Sequence, residues 1–261
     1  MGVRPLGESP PETASAVIWH DLECGLYRAD LPLWQELAAR ADPRTGEAHI
    51  LEVGSGTGRV ALELARRGHT LTAVDIDAEL LGALRRRGGA LPLQTVCADA
   101  RSFQLQREDH ALCLVPMQTL QLLGGAGGRA AFLERARAHL QPGGLLACAI
   151  VTDFDPFDAA DGDTPPSAES MLVGAARYSS RALRVSITTR QAVIERERRI
   201  VPLTPTGGPR PSLQRNVVAL DLLSAALLQR EALAAGLSAA GIREIPPTPD
   251  HVGSTVVILR A

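Results

Sequence analysis

The sequence predicts an α/β protein built on a doubly wound, Rossmann-like sheet, and three observations carry that prediction. Short apolar runs recur between residues 49 and 151, amphipathic helical stretches separate them, and the first run ends in a glycine-rich turn that opens a helix. Runs without polar alternation suit strands covered on both faces. Strand–helix–strand repetition at this spacing gives a parallel sheet.

The elements follow in chain order. Residues 1–15 read as a loosely held arm. From Val17 to Arg40 the pattern is amphipathic, with Leu26, Leu31, Leu33, Trp34 and Leu37 set among charges. Pro32 is placed to open the second of two short helices, because proline fits the first helical turn. The strands expected next are His49–Val53, Thr70–Val74, Leu91–Cys97, Ala111–Val115 and Leu145–Val151, with helices at Arg59–Arg67, Ala78–Arg87 and Arg129–Leu140. Gly68 and the pair Gly88-Gly89 fall just past helix ends, where glycine caps are common.

Asp153–Ser170 is acidic and proline-containing and reads as a mobile loop. Ala182–Thr189 and Ala192–Val201 alternate like an antiparallel hairpin with one wet face, joined by Asn216–Leu222 beyond a Pro/Gly turn region at Thr204–Ser212. Ser224 is a plausible N-cap for a helix running to about Ala240 and closed by Gly241, before strands at Ile242–Ile245 and Ser254–Leu259. The division expected is an arm with lid helices (1–45), a core (46–152), a loop and β lid (153–222), and a helix with two strands completing the core (223–261).

Composition narrows the function. Basic and acidic residues number 27 and 29, for a net charge of -2. Such a balance disfavours a nucleic-acid partner. Every basic residue is arginine, so lysine Schiff-base chemistry is excluded. Cys24, Cys97, Cys113 and Cys148 have no Cys-x-x-Cys spacing and read as free thiols in a reducing cytoplasm. No signal-type leader and no long apolar span is expected, hence no membrane partner. The aspartates of Asp153–Asp161 carry the oxygen ligands magnesium prefers, but a solvated loop explains them, and no metal is expected.

The chemistry concentrates in Leu51-Glu52-Val53-Gly54-Ser55-Gly56-Thr57-Gly58. A strand ends there and a helix begins, as a nucleotide-type loop requires. Glycine lets the backbone bend sharply and approach a ligand without a Cβ in the way. Asp75 ends the next strand, where a carboxylate can accept both hydroxyls of a ribose, and Asp99 follows the third, within reach of an adenine amine. That edge of a doubly wound sheet is where ligands bind.

With these residues in order, positions 49–151 resemble the core of class I S-adenosylmethionine (SAM)-dependent methyltransferases of the small-molecule type. Glu52, Gly54, Gly56 and Gly58 match the family's Glu-x-Gly-x-Gly-x-Gly, and Asp75 and Asp99 match the acids of its second and third motifs. Leu114–Gln121 is similar to its fourth-strand motif, and Leu140-Gln141-Pro142-Gly143-Gly144 to its Leu-x-Pro-Gly-Gly turn. The third glycine stands one position earlier than in the dinucleotide pattern Gly-x-Gly-x-x-Gly, which argues against a nicotinamide cofactor.

The resemblance implies a seven-stranded sheet with its last strand antiparallel, an antiparallel β-hairpin lid insertion and N-terminal helices. It implies SAM as cofactor, held by Glu52, Gly54, Ser55, Gly56, Gly58, Asp75, Ile76, Asp99, Ala100, Pro116, Met117 and Gln118. The reaction implied is in-line displacement of the sulfonium methyl by a small molecule of the specialised-metabolite kind. It requires the nucleophile within about 3–3.5 Å of the methyl carbon and water excluded.

His20 and Tyr27 are the catalytic candidates. The pair His20-Asp21 suggests a general base, since a carboxylate can raise the basicity of an imidazole. Trp19, Gln118, Phe154, Tyr178 and His251 are the acceptor candidates, with Trp34 and Phe154 also explicable as packing residues. Two alternatives stay open: a SAM-fold enzyme doing other chemistry, and a non-catalytic SAM-binding module. A homodimer stays open as well.

Overall fold

The computed structural model describes residues 12–41, 49–204, 209–248 and 251–261. The arm at 1–11, the 45/46 boundary and part of the Thr204–Ser212 turn lie outside the described residues.

Helix α1 (Glu12–His20) leads directly into a π-helical turn at Asp21–Gly25, and α2 (Leu31–Ala41) follows with Pro32 in its first turn. The core then alternates β1 (His49–Val53), α3 (Ala61–Ala65), β2 (Thr70–Asp75), α4 (Ala78–Gly88), β3 (Leu93–Cys97), β4 (His110–Val115), α5 (Gly125–Ala138) and β5 (Leu140–Ile150). Strands β6 (Phe157–Asp158), β7 (Glu169–Val173), β8 (Ala176–Ile187), β9 (Gln191–Pro202) and β10 (Ser212–Asp221) come next. The chain closes with α6 (Ala225–Ala234), β11 (Ser238–Ile245) and β12 (Ser254–Arg260).

Seven strands form the main sheet in the order β11-β12-β5-β4-β1-β2-β3. Strands β1 to β5 run parallel, and β12 pairs antiparallel with both β5 and β11. Apolar side chains cover both faces. Trp34, Leu64, Leu81 and Leu84 pack on one side, and Phe103, Phe132, Leu133 and Leu228 on the other. The unbroken apolar runs of β1 and β4 follow from this two-sided burial.

The second sheet is antiparallel, ordered β10-β9-β8-β6, with β7 also on β8. Trp19 and Leu22 of the N-terminal segment pack on its Ala176 and Tyr178. Its base is fixed to the core by Arg129 of α5, which donates to Asp221 at the end of β10 (2.8 Å) and to Glu231 of α6 (2.7 Å). Gln121 adds two donations, to the carbonyls of Val151 (3.0 Å) and Asp221 (2.8 Å). Among the described residues, no helix is long and apolar enough to cross a membrane.

Several boundaries differ from the sequence expectation. Glu12–Ser15, expected in the arm, begins α1. The expected Asp153–Ser170 loop contains β6 and the start of β7, so the second sheet has five strands rather than three. Helix α5 starts at Gly125, ahead of Arg129, and α3 is shorter than Arg59–Arg67. Helix α6 stops at Ala234, well before Ala240. Gly236 turns left-handed (φ 81°), the Leu237 N–H returns to the Ala232 carbonyl, and Ser238 begins a strand.

Candidate active site

Strands β1 and β4 lie side by side while their neighbours β2 and β5 spread to opposite sides, which makes their C-terminal ends the switch point of the sheet. A cavity of about 430 Å³ opens there. Glu52, Gly54, Asp75, Asp99, Met117 and Gln118 line it.

The turn from β1 requires its glycines. Gly54, Gly56 and Gly58 have φ of 77°, 51° and 94°, in the region that excludes most side chains. Each also lacks room. A Cβ on Gly54 would sit 2.3 Å from Oγ1 of Thr119, one on Gly56 2.2 Å from Nε2 of His20, and one on Gly58 2.1 Å from Cδ1 of Leu84. Gly54 therefore borders the cavity, Gly56 lies under the His20 imidazole, and Gly58 lets α4 pack close.

Two acids stand at the tips of consecutive strands, as expected. Asp75 accepts the Gly56 N–H on Oδ2 (2.8 Å) and the Asp77 N–H on Oδ1 (2.9 Å). Each oxygen keeps further acceptor capacity toward the cavity. Asp99 is gripped by the guanidinium of Arg101 (2.5–3.1 Å) and by its main-chain N–H (2.8 Å). Those bonds pull the Asp99 carboxyl down to about 2. Ile76 and Leu122 line the same space with apolar side chains left 69% and 55% exposed. Exposed apolar groups inside a cleft supply flat contact for a ring.

Glu52 is the anomaly of the site. Its side chain is buried, and its Oε2 has no hydrogen-bond partner. Burial pushes its carboxyl up to about 8 despite the pull of nearby Arg59. Met117, just past β4, is the one non-glycine with positive φ (56°) among the described residues. A strained residue on a cavity wall is held there by its surroundings.

His20 reaches the cavity, but the expected His20–Asp21 pair does not form. Nδ1 of His20 lies 3.2 Å from Oγ1 of Thr57, and that hydroxyl donates to Asp21 at 2.7 Å. Consecutive residues of a helix point about 100° apart, so they rarely face each other.

Of the other candidates, Ser55, Ile76, Ala100, Pro116, Met117 and Gln118 line the cavity. Tyr27 does not: it is buried against His251 (ring centroids 4.9 Å) and under Arg59 (5.3 Å). His251 shares that stack and stands outside the cavity lining. Trp19 and Tyr178 pack edge-to-face at 5.4 Å and join the N-terminal segment to the second sheet. Phe154 is absent from the lining as well. Thr119 lines the cavity from within the Leu114–Gln121 stretch, while Cys24, Arg59 and Arg101 line it without having been expected there. Arg59 follows the glycine turn directly, which is the one signal that points to any of them. Among the described residues, no group of His, Cys, Asp and Glu is arranged to hold a metal.

This sheet, with its antiparallel last strand and its glycine cleft at the switch point, defines a Rossmann-like α/β fold. Residues 50–144 match the family model described as a methyltransferase domain. A curated relative, a probable cobalt-precorrin-6B C(15)-methyltransferase (decarboxylating) of Methanothermobacter thermautotrophicus, is 29% identical over 126 residues, covering 46% of this chain and 61% of that one. The chain thus matches less than two thirds of that relative's length. Two solved structures are similar over nearly the whole chain. SAM-bound CalS10, an amino pentose methyltransferase from Micromonospora echinaspora, superposes with a TM-score of 0.66 at 18% identity, covering 99% of each chain. DesVI of Streptomyces venezuelae gives 0.69 at 16% identity, covering 96% of this chain and 99% of its own.

Proposed function

We propose that the protein transfers a methyl group from SAM to a small-molecule acceptor, a specialised metabolite. One observation carries the reading. Glu52 is a buried carboxyl on the cavity wall with an oxygen that lacks a partner, a group that a cationic donor in the cavity would satisfy and hold ionised. SAM carries an ammonium and a sulfonium.

The rest of the lining fits the remaining parts of that ligand. Glu52, Gly54 and Ser55 would hold its amino-acid end, Asp75 its ribose, and Asp99 with Ala100 its adenine, against the apolar side chain of Ile76. Pro116, Met117 and Gln118 form the opposite wall. Bound there, the cofactor supplies a methyl on positively charged sulfur, open to in-line attack by an acceptor lone pair. The chain's own part is to orient the acceptor and exclude water. The second sheet and the N-terminal helices are our candidates for that enclosure.

His20 stands over Gly56 and feels the charge of Asp75, which supports assigning it to cofactor binding at the nucleoside end rather than to proton transfer. The acceptors in the names of the compared proteins, an amino pentose and a cobalt-precorrin, are small molecules, which supports the same class here. Four free cysteines support a cytoplasmic setting, and a homodimer is the assembly to look for.

Calorimetry with S-adenosylhomocysteine (SAH) tests the site: micromolar binding is expected, and absence of binding overturns the reading. Turnover with methyl-labelled SAM and metabolite fractions then tests the reaction, through acceptor-dependent SAH release.

A further inference from the structure

The segment covering the glycine turn is tied down by a chain of four side chains. Arg87 of α4 donates to both oxygens of Asp21 (2.8 and 2.5 Å). Thr57, inside the glycine turn, donates its hydroxyl to Asp21 Oδ1 at 2.7 Å, and His20 Nδ1 lies 3.2 Å from the same Thr57 oxygen.

Counting protons fixes the direction of every bond in this chain. Burial pushes the Asp21 carboxyl up, but the hydrogen bonds from Arg87 and Thr57 outweigh it and hold the group below its ordinary value. Asp21 is therefore an ionised acceptor. Thr57 has one hydroxyl proton, and it is committed to Asp21. Its oxygen can only accept from the imidazole, so His20 carries its proton on Nδ1. Burial also lowers the His20 pKa below 6.5 and keeps the ring neutral near pH 7. A neutral ring with Nδ1–H bears a lone pair on Nε2.

That Nε2 stands directly over Gly56, whose N–H is bound by Asp75. The charged groups acting on the imidazole are Asp75 from β2, Asp21 beside it, Arg87 from α4 and Arg59 from the turn into α3. Asp75 and His20 both line the cavity beside the glycine turn.

We propose that Thr57 is a positioning residue that acts through His20: it fixes the imidazole so that Nε2 and the Asp75 carboxylate together accept the two vicinal hydroxyls of the bound cofactor's ribose. The proposal rests on the reading that the cavity takes SAM. Thr57 is buried and does not line the cavity, so its influence passes through the ring it orients.

Two measurements test it. In the ligand-free protein, long-range ¹H–¹⁵N correlation of the imidazole nitrogens, with His20 assigned by loss in His20→Gln, reports which nitrogen is protonated. The wild type and Thr57→Ser should show Nδ1–H, and Thr57→Val should lose that preference. In calorimetry, Thr57→Val should weaken SAH about fivefold to tenfold, the worth of one hydrogen bond, while Thr57→Ser stays within about twofold of wild type.

The double variant Thr57→Val/His20→Gln should bind no more weakly than His20→Gln alone. A merely structural role for Thr57 would instead add to the loss. An Nε2–H wild type, or a Thr57→Val protein with unchanged tautomer and affinity, overturns the proposal while leaving the methyltransferase reading in place. A wild type that fails to bind SAH removes both.

Discussion

The main-chain N–H of Gly56 donates to Oδ2 of Asp75 at 2.8 Å, so the acid that faces the cavity also shapes the turn. Its other oxygen fixes the Asp77 N–H at 2.9 Å. Asp75→Ala removes both bonds and the carboxylate offered to the ribose. The expected result is a stability loss of about 1–3 kcal/mol by urea titration. One charge-assisted bond to the ligand is worth about 1.5–3 kcal/mol, so SAH affinity should fall about tenfold to a hundredfold in calorimetry. Unchanged affinity in a folded Asp75→Ala protein would remove Asp75 from the site.

Glu52 gives the pH dependence of stability a definite sign. Burial raises its folded value to about 8 from an ordinary 4.5. Below pH 4.5 the group is protonated whether the chain is folded or not. As pH rises toward 8 the unfolded chain releases the proton and the folded chain keeps it, so stability drains across that window. Glu52→Gln keeps the shape without the titration. It should match wild type near pH 4.5 and exceed it at pH 8 by a margin on the order of a few kcal/mol. The same substitution should weaken SAH binding, because the ammonium loses its carboxylate. Parallel pH–stability curves for the two proteins would refute the assignment.

Arg101 lowers the Asp99 carboxyl to about 2 by direct hydrogen bonding, yet both side chains face solvent, 49% and 28% exposed. A depressed carboxylate contributes stability above its unfolded value and loses it as pH falls through the folded one. At this exposure, water screens that contribution to little. Arg101→Ala should therefore return the Asp99 carboxyl to the ordinary range in a ¹³C NMR titration, while the melting temperature at pH 7 stays within error of wild type. A large drop in melting temperature would show that the pair supports more than its own titration.

The parts of this site that can be read from sequence are those where backbone geometry restricts the residue type. Gly54, Gly56 and Gly58 take positive φ, which few residues tolerate, and Asp75 stands where β2 ends, so strand periodicity locates it. Contacts between distant residues leave no such mark. The Thr57 partner of His20 is 37 positions away, and the expected neighbour Asp21 is reached only through it. Tyr27, Trp19 and Tyr178 resemble pocket residues because an aromatic that fills a core and one that lines a cavity look the same in sequence; their burial against His251 and one another decides it. Strands β6 and β7 span 2 and 5 residues among prolines and aspartates, too short for alternation to register.

Arg129 offers the strongest test of how the second sheet is held to the core. Its guanidinium, 5% exposed, bonds Asp221 at the end of β10 and Glu231 on α6, while Asp221 also accepts the Gly125 N–H at 2.7 Å. Three elements meet on one cation. Arg129→Met preserves the bulk of the side chain but strands two mostly buried carboxylates, and breaking a buried pair in this way costs about 3–5 kcal/mol. Adding Asp221→Asn and Glu231→Gln removes the stranded charges. The amide oxygen that replaces the Asp221 carboxylate can still accept from Gly125, so the triple variant should regain a good part of that loss. SAH affinity of the single variant, measured well below its melting temperature, should stay within about twofold of wild type, because none of the three side chains lines the cavity. If urea titration finds Arg129→Met costing under about 1 kcal/mol, well below the usual loss on breaking a buried pair, then the apolar contacts of the sheet base, rather than the ion network, hold the two sheets together.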